Sequence, residues 1–587
     1  MKIFYHGEIS DALKHLAAMA ECFGVETECV EAASLESILS AAKEQSGVVL
    51  DVASLARRFD PEQLERLAAQ LKHRDLAVLL LIRHVNDSDH RFLQTLSGEV
   101  VRGVERRTEA VSVRFTANAH ALVGELASFS YARKRDKALA FVTGPGAGAE
   151  MIMSLDDAPA FVRTRVGQAH VFLWCTDDVF DVHRPLAAER EFEEAADQYI
   201  PAIVFLRFAF RDRCWHNPSP AAGIVIDDPL LRRRYGFIQF PELLASAKRH
   251  GYRVTLAFIP WNHWRSRPNQ VRLFRDYTSS FSVCAHGCDH TNNEFKSADY
   301  EELLRKNFVA SQRMEDHAKR IGLDYEPLMV CPQEQYSLEA MRAFADSRRF
   351  MGLMCTACMP RGLISPQISG ADLLLPAQDS FFGFPVFKRH YSGGDLSVFA
   401  MSLFLGKNAI LVEHHEFFRN GPGGAEKFAA GLTGIHPEIT WAPLADAVTQ
   451  THLRRRAAET RWEVRFFTDT FVLSHKSETP MDYKLIRRMP DSTVIRRVTV
   501  DGTEIGFSRG NGFLAFEIRL DRPQTIRVRI EAMPVEPKRP ASLGIKYQVS
   551  VAFRRGLSEL RDNVIARNGF ALRAGRLLAK TFRQTAD

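Results

Sequence analysis

The chain has 587 residues, too long for a single hydrophobic core, so several modules are expected. Its hydrophobic share of 46%, charged share of 25% and net charge of +6 are those of an ordinary globular protein, and they argue against a nucleic-acid-binding role. Nine scattered cysteines do not make a disulfide framework, and no run of about 18 apolar residues is present to span a bilayer.

Residues 1–215 alternate short apolar runs (MKIFYH, VETECVE, GVVLDV, AVLLLIRHV, ALAFVTG, HVFLWC) with helical patterns such as PEQLERLAAQLKH. Strand and helix in alternation predict a parallel sheet covered by helices, a Rossmann- or flavodoxin-like α/β domain. The opening segment reads as a strand running into an amphipathic helix, not as a signal peptide, and a cytoplasmic setting is expected. GPGAGAE (144–150) follows a strand without matching the dinucleotide fingerprint. A plain turn is favoured there over a phosphate cradle.

NPSPAAG (217–223) marks a break, and the α/β alternation resumes over 220–460. GIVID, RVTLAFIP, FSVCAHG, PLMVCP, FMGLMC, AILVEHH and EITWAP read as strands, with reactive residues gathered where they end. In a (β/α) barrel those ends build the active site. Residues 462–535 switch to period-two patterning with Asp-Gly and Gly-Asn turns, the signature of an antiparallel β-sandwich. The tail, 540–587, is a basic helical segment carrying Arg554, Arg555, Arg561, Arg567, Arg573, Arg576, Lys580 and Arg583 among apolar residues. It is expected either to pack as a solvated helix or to lie peripherally on the anionic inner face of a membrane.

Three motifs carry chemistry. IDDP (226–229) places two adjacent carboxylates at a strand end, costly unless used; beyond the strand the chain bends, and one can hold a cation while the other acts as base. AHGCDH (285–290) sets His286 and His290 four apart, which on a helical turn would direct both imidazoles to one metal, with Cys288 facing away into the core. With an aspartate this makes a site of two nitrogens and one oxygen, suited to zinc or another divalent ion. VEHH (412–415) ends another strand with His414 and His415, either able to protonate a leaving amine. Trp261 and Trp264 in PWNHW are candidate planes for stacking on sugar rings.

Asp-Asp at the first barrel strand, then H-x-x-x-H, then a histidine ending a late strand resembles the polysaccharide deacetylases of carbohydrate esterase family 4, and in particular their divergent relatives with IDDP. The resemblance covers about 220–450. It implies a distorted (β/α) barrel of deacetylase type and metal-dependent removal of N-acetyl groups from a carbohydrate. It casts Asp227 as general base, Asp228, His286 and His290 as ligands of a divalent metal, and His414 as general acid with His415 one register away. Tyr336 joins Trp261 and Trp264 as a substrate contact. VCPQEQYS (330–337) lacks the family's motif arginine, which orients the catalytic aspartate; Arg389 in FKRHY is the candidate replacement. The alternative reading is a catalytically inactive, glycan-binding or scaffolding relative.

Overall fold

The computed structural model describes residues 1–567 apart from 33, 35–37, 39–46, 72, 84–92, 98–99, 109–111, 136, 144–147, 362–366 and 539–543. Arg573, Arg576, Lys580 and Arg583 therefore lie outside the described residues, as does most of GPGAGAE.

The chain is a multidomain α/β protein. Near the N-terminus, strands Glu28–Glu31, Lys2–Tyr5, Gly47–Asp51, Ala77–Ile82 and Ala169–Cys175 lie side by side and parallel. The sheet then continues antiparallel through Ala158–Val166, Glu150–Leu155, Ser112–Phe115 and Ser130–Ala132. The expected wholly parallel sheet is thus correct for one half only. The reason lies in connection length: 156–157 and 167–168 are tight turns, which permit only antiparallel return. The last residue of GPGAGAE opens strand Glu150–Leu155. Helix Ala196–Phe210 is buried on nearly every side, which explains its want of a polar stripe.

The central sheet is barrel-like. Parallel strands Val386–Lys388, Leu353–Cys355, Glu326–Val330, Phe281–His286, Val254–Phe258, Ala221–Asp227 and Ala409–Glu413 follow one another in that spatial order. His390, just past the first of these, bridges to Leu411 in the last, so the ring nearly closes. Val225, Ala257, Cys284, Leu328, Met354, Phe387 and Ile410 form one buried cluster, while Ile224, Leu256, Val283, Met329, Leu353 and Leu411 join the separate core under the helices. The period of two thus splits each strand between the barrel interior and the helical layer. Helix Tyr300–Ile321 is set by its ends: Asp299 accepts from the Glu302 N–H at 3.0 Å, and Gly322 closes it in the left-handed region at φ 66°.

Beyond the barrel, a five-stranded and a four-stranded sheet face each other across a core including Val464, Phe466, Phe471, Leu485, Leu514, Phe516 and Val528. The pairing of Arg461–Phe466 with Met481–Arg488 is parallel, against the antiparallel expectation for this region. These sheets are tied to the barrel by buried Arg487, which donates to Asp469 at 2.8 Å and to the Phe467 and Gly383 carbonyls, and by Arg348, 3.1 Å from the same aspartate. Helix Ile545–Leu560 then returns to lie across the barrel. Among the described residues no helix is long and apolar enough to cross a membrane.

Candidate metal and catalytic centre

Strand parity aims the site. Asp227 is two residues on from inward-facing Val225, His286 two on from Cys284, Arg389 two on from Phe387, and His414 four on from Ile410. All four share the inward register at the C-terminal ends of their strands. His415 has the opposite register. It is buried between Tyr235 and Phe237 and sits 3.5 Å from Asp562 of the C-terminal segment. Of the two histidines, His414 therefore faces the aspartates and His415 does not.

Asp227 ends its strand, and Asp228 turns into the left-handed region at φ 77°. A non-glycine residue there is strained, and the strain is what swings the second carboxylate to the side of the first. Asp228 Oδ1 lies 3.3 Å from His290 Nε2 and 3.6 Å from His286 Nε2. The ligating atoms of these three residues fall within 4.8 Å of one another.

The two histidines do not share a helical turn, contrary to expectation. His286 is the last residue of its strand, and His290 lies in the following loop at φ 54°. The loop is folded around buried Glu294, whose carboxylate accepts the N–H groups of Cys288, Asp289 and His290 at 3.0, 2.8 and 3.1 Å. Gly287, at φ 66°, makes room for this: a Cβ there would stand 2.3 Å from Glu294 Oε2 and 2.5 Å from Pro332 Cγ. A carboxylate anchor with a glycine thus brings the pair together where a helix was expected to. Cys288 is buried in the core, as expected.

The donor set suits a divalent cation. Asp228 Oδ1 and His290 Nδ1 are buried without a hydrogen-bond partner. The His286 ring faces the Val330 carbonyl through Nδ1 at 3.2 Å, which fixes that nitrogen as the protonated one and leaves Nε2 as a lone pair. Burial holds the His286 pKa down at about 4 against the pull of Asp227, so the imidazole is neutral at neutral pH.

Asp227 meets Arg389 in a two-pronged pair, Nη1 to Oδ1 and Nη2 to Oδ2, both 2.8 Å. Arg389 also donates to Glu334, whose carboxylate accepts the Thr356 N–H at 2.6 Å. Burial raises the Asp227 pKa, but Arg389, and then His286, outweigh it and leave the carboxyl at about 2. Arg389 thus stands where the sequence lacks the expected motif arginine. Glu334 was missed, and its only sequence signal was an acidic residue just beyond a buried strand end.

The remaining candidates divide. Tyr336 is fully buried, and its hydroxyl donates to the Ala357 carbonyl at 3.0 Å, so it has no face for a substrate; that expectation is corrected. Trp261 is half-buried against the histidine loop, its backbone N–H donating to the Cys288 carbonyl at 3.0 Å, with Arg313 over its ring. Trp264 is 63% exposed. Arg555, read from sequence as one more basic residue of the tail, instead points inward. It is buried with Nη1 4.0 Å from Asp228 Oδ1.

No family model matches the sequence and no curated protein matches it. Solved structures similar to the chain include Agd3, a carbohydrate deacetylase, at TM-score 0.40 and 9% identity over 90% of this chain and 99% of that one. A pseudoenzyme of carbohydrate esterase family 4 from Bacillus anthracis gives 0.23 and 13% over 38% and 65% of the two chains. The T48 deacetylase gives 0.23 and 10% over 39% and 90%. At these scores the likenesses carry no argument about chemistry, which rests on the side chains themselves.

Two outcomes follow from this geometry. Arg389→Met strands a buried carboxylate and lowers stability by about 3–5 kcal/mol in urea unfolding, while Asp227→Asn/Arg389→Met recovers most of the loss. Because the folded pKa of Asp227 (about 2) lies below its ordinary 3.8, the pair stabilises the fold above that value and the contribution fades as pH falls towards 2. That acid-range share is absent from both variants. Gly287→Ala lowers stability by about 1–3 kcal/mol in the same measurement, through the positive φ and the clash with Glu294.

Proposed function

We propose that the chain is a metal-dependent hydrolase of C–N amide bonds, acting as an N-deacetylase on an N-acetylated carbohydrate. The observation that carries the reading is the buried, unpartnered Asp228 oxygen within reach of two histidines and beside a second, separately paired aspartate. Asp228, His286 and His290 would hold the cation, with zinc the favoured ion for two imidazoles and a carboxylate. A divalent ion there supplies Lewis acidity toward an amide carbonyl and its attacking water.

The chain's own residues supply the rest. Asp227, kept ionised by Arg389, is the acceptor for the proton of the attacking water. Glu334 accepts from the same Nη2 of Arg389 that holds Asp227 Oδ2, a second tie on the guanidinium that orients the base. His414, in the same inward register, is the donor to the departing amine. Trp264, exposed, and Trp261 beside the histidine loop are the proposed sugar contacts.

One observation favours the second reading, an inactive deacetylase-like protein: the Arg555 guanidinium beside Asp228 takes up part of the negative charge a cation would meet. Metal content separates the two. Purified wild type is expected to hold close to one divalent ion per chain, lost in folded His286→Ala and His290→Ala, and to release acetate from N-acetylated oligosaccharides. Asp227→Asn is expected to keep the metal and lose at least about a hundredfold in rate, the usual contribution of a general base. Wild type that takes up no zinc or cobalt on soaking establishes the inactive reading. Arg555→Gln removes a competing cation and is expected to tighten zinc binding by about tenfold in a competition titration.

A further inference from the structure

Helix Ile545–Leu560 and the turn after it are built inside out. Most helices turn an apolar stripe inward and a polar face outward. Here the inner face is polar. Arg555 reaches Asp228 and the Tyr547 hydroxyl donates to Asp289 at 2.8 Å. Glu559 receives Arg265, and Asp562 accepts from the Tyr235 hydroxyl at 2.9 Å. Val551 and Ala566 are the buried apolar side chains of this stretch.

The outer face is apolar. Ile545, Val549, Phe553, Leu557, Leu560 and Val564 are 81, 63, 69, 51, 48 and 56% exposed. Their spacing of three and four residues gathers them into one stripe. They are six of the sixteen large hydrophobic side chains exposed among the described residues, concentrated in twenty consecutive positions. Such a stripe on a chain free in water is a docking surface.

Charge says what it docks on. Lys546, Arg561 and Arg567 are exposed around the stripe, and Arg554 is half-exposed. Of the 77 basic and 71 acidic residues of the whole sequence, 9 and 3 fall in 540–587, so this segment carries a formal charge of +6 and the preceding 539 residues are balanced. Two copies of such a surface repel one another. A sheet of anionic headgroups over acyl chains complements both the charge and the stripe.

We propose that the C-terminal helix is an interfacial docking element whose outer stripe enters an anionic lipid surface, while its inner face remains over the aspartate–histidine cluster. The inference does not depend on the cluster being catalytic.

The test is co-sedimentation of the full chain with vesicles of phosphatidylcholine alone or mixed equally with phosphatidylglycerol, at low and high salt. Wild type is expected to sediment with the anionic vesicles and to be released by salt. Phe553→Glu/Leu557→Glu, both at exposed positions, is expected to lose at least about tenfold in partitioning while its circular-dichroism melting curve is unchanged. Absence of wild-type binding to anionic vesicles overturns the proposal, as does equal binding by the double variant. Equal sedimentation with neutral vesicles overturns the charge argument. A wild-type dimer in size-exclusion light scattering that the double variant abolishes, without vesicle binding, assigns the stripe to a second copy instead.

Discussion

The centre depends on one buried ion pair. A carboxylate at the inner end of a barrel strand, cut off from water, is tolerable only if its charge is met on the spot, and Arg389 meets both oxygens of Asp227 at 2.8 Å. Arg389 is itself fully buried and needs further acceptors, which brings Glu334 into place from a different loop. Three strand ends are thereby locked to one another through a single guanidinium. Asp228 is left as the carboxylate with an open oxygen, so two neighbouring, identical residues differ in partners through their surroundings alone.

Backbone geometry does for the histidines what charge does for the aspartates. The chain from His286 to His290 passes through positive φ at Gly287 and again at His290, and Glu294 gathers three consecutive N–H groups. A loop built this way holds its shape without a helix. Strain at Asp228 and His290 is borne at the two positions whose side chains converge, the distribution expected where a site and not the core sets the conformation.

The C-terminal helix adds a constraint of a different kind. It is fastened mainly by polar ties, Arg265 to Glu559, Tyr547 to Asp289 and Tyr235 to Asp562, and leaves its apolar side in solvent. One element thus covers the aspartate–histidine cluster and presents the most concentrated apolar surface in the described chain. Anything that grips the outer face acts on a helix whose inner face touches Asp228.

Much of this centre was legible in sequence because its information is local. The short apolar runs located the barrel strands, and IDDP, H-x-x-x-H and VEHH marked their ends, since polar residues closing a buried strand are costly unless used. Arg389 was legible too, as the compensation for an arginine missing from VCPQEQYS. What the sequence left open was orientation: whether His414 or His415 faced inward turned on register, which is settled only when Ile410 and Val412 are seen beside their neighbours. Tyr336 read as a substrate contact because a tyrosine near a motif looks the same whether its hydroxyl meets solvent or the Ala357 carbonyl. The anchoring by Glu294 and the inward turn of Arg555 depended on contacts between segments that no spacing rule connects. Local pattern therefore determined which residues were costly to bury. The tertiary structure decided which partners offset that cost, because a partner hundreds of residues away becomes near only once the chain has closed.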